Sequence, residues 1–232
     1  MVGSCGKKKR FMIPNAPRCA DLLSRKDLIK WRKELSRYSS KARDMYVGNQ
    51  PRELTRAVDM LRSIKGVQVD YYIVSAGFGL LNEDNIVPPY ECSFTGMRKT
   101  ELITRASSLE IEHDFCEVCR SQYALSYLAL GSEYMTALGN SWKGVLTGTL
   151  LTFHAVITNA NIVLLPCSAA TVKTLSSVGY LIHGITGYKG DLLRILAEYA
   201  LEQSNPSSEI ASWANVNVIK ALFERLSSGT MC

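Results

Sequence analysis

The densest run of side chains able to do chemistry lies between Ser75 and Glu91, where Ser75, Phe78, Asp84, Tyr90 and Glu91 fall close together. Asp84 and Glu91 flank the Pro88-Pro89-Tyr90 turn, and a third carboxylate, Asp44, stands in Ala42-Arg43-Asp44. Carboxylates beside apolar rings are parts that cleavage of an N-glycosidic bond, among other acid–base reactions, could use. The sugar then develops oxocarbenium character, and a carboxylate beside C1′ stabilises it or activates a water. In that chemistry Asp84, Asp44 and Glu91 are the catalytic candidates, and the sequence does not rank Asp84 against Asp44. Phe78 and Tyr90 are suited to sandwich a base, Ser75 to donate to its edge, and Tyr46 and Tyr134 to complete the pocket. A base in a duplex must first be flipped out, at a cost of a few kcal/mol. Each residue also has a plainer reading. Asp84 suits a turn that caps its own loop, Asp44 a partner for Arg43, and Tyr90 a buried ring whose hydroxyl pins the loop.

Charge points to a polyanion. Residues 1–65 hold 17 Lys and Arg against 6 Asp and Glu, a local +11 in a chain of net charge +6. The remainder therefore carries 10 basic and 15 acidic residues, or −5. Such asymmetry is the usual footprint of phosphate contacts, although well-solvated basic helices show it too. Lys7, Lys8, Lys9, Arg10, Arg43 and Lys189 are the expected nucleic-acid contacts, and DNA the expected partner. Gly184-Ile-Thr-Gly-Tyr-Lys-Gly190 has the composition of a phosphate-cradling loop without the Walker spacing, and a plain glycine-rich turn is the competing reading.

Other constellations are weaker. His113, Cys116 and Cys119 are spaced for zinc ligation, but a fourth ligand would have to come from afar, such as Cys92, and core packing explains both cysteines. No metal or cofactor is expected. His154 and His183 lie in apolar runs and read as structural. No His pairs with a Ser or Cys as a hydrolase dyad. Seven scattered cysteines read as reduced thiols in a cytoplasmic protein. No apolar run reaches the ~18 residues of a membrane span, and Met1–Arg10 lacks the apolar stretch of a secretory leader.

The elements that position these residues follow from periodicity. Residues 2–10 contain a short first strand, and Pro14 and Pro17 bar regular helix from 11–20. Asp21–Tyr38 reads as a basic amphipathic helix or two, and Arg52–Ile64 as a helix opened by Pro51 and closed by Gly66. Val67–Ala76 is the clearest strand. It runs into Gly77-Phe78-Gly79, which lacks the third glycine of a dinucleotide fingerprint, and then a loop over 80–90. Helix is expected over Met97–Cys119, strand over Tyr123–Gly131, helix from Ser132, strand over Asn161–Pro166, and helices over Thr186–Glu202 and Ile210–Leu226. Residues 144–160 are ambiguous. Strands alternating with helices predict one α/β domain over 1–232, three-layer α/β/α with a mostly parallel sheet. Ligands of such folds bind at the carboxyl ends of the strands, which would put Ser75–Tyr90, Gly131–Tyr134 and Pro166–Ser168 on one rim.

Five short blocks resemble one family. Cys5-Gly-Lys-Lys-Lys9 and Lys41-Ala-Arg-Asp-Met-Tyr-Val-Gly48 resemble Cys-x-x-x-Lys followed by Ala-Arg-Asp-Leu-Tyr. Val74-Ser-Ala-Gly-Phe-Gly-Leu-Leu81 and Ile86-Val-Pro-Pro-Tyr-Glu91 resemble Ser-Ala-x-x-Gly-Leu and Ile-x-Pro-Tyr-Asp, and Leu130-Gly-Ser-Glu-Tyr134 resembles a later Gly-x-x-Tyr element. In that order they resemble the bacterial family related to the peroxide-stress protein YaaA, whose wider group is linked to modified-base processing and to antiviral DNA glycosylases. The resemblance spans residues 4–134 and implies a uracil-DNA-glycosylase-like fold and excision of a modified base. The chain departs from the pattern in a clipped first strand, in a basic insertion over 26–38, and at Phe78. That ring stands where a His or Tyr is usual, so no proton transfer is implied there. Two other readings remain: a non-catalytic DNA-binding stress protein, and an N-glycosidase acting on free nucleosides or nucleotides.

Overall fold

The computed structural model describes residues 1–156 and 160–229. Its strands are β1 (Val2–Ser4), β2 (Ser40–Lys41), β3 (Tyr72–Ser75), β4 (Gly79–Asn82), β5 (Ile86–Val87), β6 (Leu125–Ala129), β7 (Thr149–Thr152) and β8 (Asn161–Leu164). Its α-helices are α1 (Arg25–Glu34), α2 (Ala42–Met45), α3 (Asn49–Ser63), α4 (Lys99–Ser108), α5 (Ile111–Cys119), α6 (Ser132–Ala137), α7 (Ala169–Ser177), α8 (Gly184–Glu202), α9 (Pro206–Ser212) and α10 (Val216–Ser228).

Six strands form one sheet in the order β4-β3-β1-β6-β7-β8, and β2 pairs with β5 in a separate antiparallel ribbon. Every neighbour in the six-stranded sheet is parallel except β3–β4. The fold is therefore α/β with a mostly parallel sheet, compatible with three layers. Leu128, Ala129, Leu150, Leu151, Val74 and Ile73 are buried, as strands covered on both faces must be. The chain moves from β1 to β3 on one side and then returns to place β6 on the other. The order thus reverses between β1 and β6, and the carboxyl ends at such a reversal are where ligands of these sheets commonly bind.

Several elements differ from the sequence reading for identifiable reasons. Residues 67–70 join no ladder, so the strand shrinks to Tyr72–Ser75. The Gly77-Phe78-Gly79 segment is a hairpin turn, and part of the expected loop is the antiparallel strand β4, with Ser75 opposite Gly79 and Tyr72 opposite Asn82. Helix α3 begins at Asn49, because Pro51 falls in the first turn, where its missing N–H costs nothing. Glu110, at φ 54°, breaks the expected Met97–Cys119 helix into α4 and α5. Asn205 caps α9 by accepting from the Ser208 N–H, with Pro206 in the first turn, so the expected break at 205–208 starts a helix. Part of the ambiguous 144–160 stretch becomes β7; residues 157–159 lie outside the described residues. Cys19 and Cys92 form a disulfide, which corrects the expectation that all seven thiols are reduced. No helix of the described residues is long and apolar enough to cross a membrane.

Candidate functional site

The carboxyl edge gathers residues from all five blocks. Ser75 ends β3, and its Oγ accepts from the main-chain N–H groups of Gly77 at 3.2 Å and Phe78 at 2.9 Å. The Ser75 hydroxyl also lies 2.6 Å from the Tyr90 hydroxyl, which in turn lies 2.9 Å from that of Tyr46. Tyr90 packs flat against the turn, and a Cβ on Gly77 would fall 2.6 Å from its ring, so the turn needs glycine there. Main-chain bonds from Arg10 N–H to Met45 O and from Val47 N–H to Lys8 O set Lys9 opposite Tyr46. The Lys9 Nζ then lies 4.5 Å from the Tyr90 ring centroid and 5.1 Å from that of Tyr46. Across the switch point, the Tyr134 hydroxyl of α6 lies 3.2 Å from Cys5 Sγ and donates to Cys5 O. Gln50 ties the switch point together, donating to Ser4 Oγ at 3.2 Å and Ala129 O at 3.0 Å.

Burial sets the electrostatics. Cys5, Lys9, Tyr46, Ser75, Tyr90 and Tyr134 are all buried. Burial raises the Tyr46, Tyr90 and Tyr134 hydroxyls well above the ordinary phenol value, so all three stay protonated donors. The same burial lowers the Lys9 ammonium, with only partial compensation from Cys5 and Glu91.

Three links bring the basic segment to this edge. Cys19 is bonded to Cys92, and Glu91 N–H donates to Pro17 O at 2.8 Å. Arg105 of α4 donates to Ala76 O at 2.5 Å, Cys19 O at 2.9 Å and Leu22 O at 3.3 Å, stitching residues 19–22 to the Ser75 turn. The Arg32 guanidinium of α1 lies 5.3 Å from the Phe78 ring centroid. Lys7, Lys8, Arg10 and Arg18 are exposed around this cluster. Arg105 was not singled out from the sequence, and nothing in the mixed polar and apolar sequence of α4 marks it. Cys5 stands in a recognised block, but its contact with Tyr134 spans 129 positions and no local pattern announces it.

Other candidates fall elsewhere. Asp84 lies beyond the amino edge of the sheet, because β4 carries the chain away from Ser75; it accepts from Lys41 at 2.7 Å and belongs to the turn closed by Asn82 and Asn85. Arg43 is at that edge too, held by Glu83 at 2.9 Å and Asp59 at 2.6 Å, which corrects its placement among free phosphate contacts. Asp44 is exposed on α2 and is not a member of the tyrosine cluster. Of the three carboxylates, Glu91 stands at the carboxyl edge, 4.0 Å from Arg18. Lys9 is inside the cluster rather than on the surface. Phe78 and Tyr90 meet edge to face with centroids 5.2 Å apart, so they fill the space that a base between them would need. Lys189 lies over Phe153 within α8, and the Gly184–Gly190 stretch is the first turns of that helix rather than a loop.

Of the remaining motifs, His113 is exposed, and burial pushes the Cys119 thiol up to about 12. Among the described residues no group of three or more His, Cys, Asp or Glu is placed to hold a metal. His154 Nε2 meets Leu130 O at 3.2 Å. His183 is the more organised histidine: fully buried Asp191 accepts from its main-chain N–H at 2.8 Å and pairs with its Nδ1 at 2.7 Å. A cavity of about 1010 Å³ beside α4, α5 and α6, lined in part by Ile103, His113, Cys116 and Met135, reaches the carboxyl edge at Ser132 and His154. Comparison with family models, curated proteins and solved structures finds no match to this chain.

Proposed function

We propose that this chain binds DNA across the carboxyl edge of its sheet and hydrolyses the N-glycosidic bond of a modified base, of the kind carried by phage DNA. The observation that carries the reading is convergence: the basic N-terminal segment is pinned by Arg105 and the Cys19–Cys92 link onto the edge where Lys9, Tyr46, Ser75, Tyr90 and Tyr134 meet. Exposed Lys7, Lys8, Arg10 and Arg18 hold phosphates. Protonated tyrosine hydroxyls donate to the base, and Glu91 supplies the carboxylate. A uracil-DNA-glycosylase-like arrangement of layers belongs to the same reading. The test is incubation with modified and unmodified DNA, scored for abasic sites. Glu91→Gln should slow excision ~10²–10⁴-fold, the usual contribution of a positioned acid or base, while Asp84→Asn should leave it intact. Absence of abasic sites on every DNA tried refutes the reading.

The closed packing of Phe78 against Tyr90 favours a second reading, a DNA-binding protein without catalysis. Salt-sensitive DNA binding that survives Glu91→Gln, with no excision by the parent protein, would select it.

A further inference from the structure

Lys9 is a buried amine with no carboxylate in contact with it among the described residues. Its side chain belongs to the core, and among the described residues its Nζ donates to main-chain carbonyls, Gly6 O at 2.6 Å and Lys7 O at 3.4 Å, and stands over the Tyr46 and Tyr90 ring faces. Glu83, Asp84 and Asp59 are committed to Arg43, Arg62 and Lys41 at the other edge of the sheet. Glu91, the acid that acts on Lys9, is exposed and set toward Arg18. A lysine used only to hold a fold is cheaper at the surface or beside a carboxylate. Desolvation shifts the amine toward its neutral form, the form that is a nucleophile, against the partial opposing pull of Cys5, Glu91 and the two ring faces. Its position adds to this, because the loop bearing it leaves β1 at the switch point, where ligands of such folds commonly bind.

We propose that the Lys9 amine is the nucleophile of this site, attacking C1′ of a deoxynucleotide and holding the sugar as an imine. The inference rests on the N-glycosidic reading above. The Nζ lone pair forms the new bond to C1′ as the bond from C1′ to the base breaks; the base leaves with the electron pair and takes a proton from the attacking nitrogen. Ring opening places a proton on O4′ and leaves a C1′=Nζ imine. Water then adds to the imine, releasing Lys9 and an abasic sugar. The net change is one water consumed for each base released. Tyr90 and Tyr46, whose ring faces line the amine, keep bulk water and counter-ions from it.

The test needs no knowledge of the modified base. The full chain is mixed with an oligodeoxynucleotide carrying one abasic site, in the presence of sodium cyanoborohydride, which reduces an imine to a stable secondary amine. A covalent adduct is expected, peptide mass spectrometry should place it on Lys9, and Lys9→Arg should cut its yield at least tenfold. Mapping on the parent protein decides the matter even if that variant fails to fold. An adduct mapping to Lys7, Lys8 or the Met1 amine, which lies at the opposite edge against Asp70 O, overturns the assignment. So does the absence of any adduct from a protein that binds the abasic oligonucleotide in a gel-shift assay. Failure to bind any DNA overturns the N-glycosidic reading itself and this inference with it.

Discussion

Replacing Gly190 by alanine tests how the fold holds the switch point together. Helices α3 and α8 run side by side in the same direction: Gly187 faces Asn49, Gly190 faces Gln50, Arg194 reaches Glu53 at 3.0 Å, and Arg56 reaches Glu198 at 3.5 Å. A Cβ on Gly190 would fall 2.5 Å from Gln50 O and 3.1 Å from Gln50 Cα, and both are main-chain atoms that cannot rotate away. The helices must therefore part, and overpacking against main chain falls in the upper half of the usual range, at about 2–3 kcal/mol. Alanine in a helix interior recovers roughly 1 kcal/mol relative to glycine. The net loss should be about 1–2 kcal/mol, a factor of about 5–30 in the folded-to-unfolded ratio. At this chain length it corresponds to a Tm lower by about 2–8 °C. Urea and thermal unfolding measure it directly. Because Gln50 bonds both Ser4 and Ala129, the shift should also weaken ligand binding at the switch point. A variant as stable as the parent would show that the two helices do not approach this closely, and would remove the argument that these glycines serve packing rather than phosphate.

Tyr90→Phe deletes the hydroxyl shared by Ser75 and Tyr46 and should cost about 1–3 kcal/mol by urea unfolding; a cycle with Tyr46→Phe should show non-additivity of about 0.5 kcal/mol or more. Glu112 accepts from the Ser141 hydroxyl and from the main-chain N–H groups of Ser141 and Asn140, and these bonds hold its carboxyl below the usual value. A carboxylate depressed in the folded state contributes stability above its unfolded value of about 4.3, and that contribution is lost as the pH falls through the folded value. The stability gap between parent and Glu112→Ala, read from urea midpoints, should thus be full at pH 7 and shrink below about pH 4; a gap independent of pH would count against the cap. Converting Lys7, Lys8 and Arg10 together to glutamine should lower the slope of log K against log salt for duplex DNA by up to about 3, at about 0.9 per phosphate contact. An unchanged slope would place the DNA elsewhere.

The alternation of strand and helix was legible because parallel strands buried on both faces read as short apolar runs, and those of β6 and β8 stand out. The carboxyl edge followed from topology, so Ser75, Tyr90 and Tyr134 were correctly grouped. Asp84 was misplaced by a single hidden element. The four residues of β4 look like loop because Gly79 and Asn82 sit at their ends, yet they reverse the chain and carry Asp84 to the far edge. The helical start of the Gly184–Gly190 stretch was obscured by composition, since glycines that serve helix contact look the same as glycines that serve a turn. The Cys19–Cys92 link joins positions 73 apart, and nothing local distinguishes that pair among seven cysteines.

On the reading proposed above, the same geometry would account for a base site that is filled in the free protein. Tyr90 is held by two hydroxyls and by contact with Gly77, so its ring is the fixed wall. Phe78 is the opposite wall, and outside it lies Arg32 on α1, a helix with no buried residue of its own. That helix is capped by Ser24 and anchored through Trp31 Nε1 to Asp21 O at 3.0 Å, but it adds little to the core. Segments with few buried apolar contacts open at the lowest cost. On that reading, admission of a base would displace α1 and Phe78 while Tyr90 stays in place.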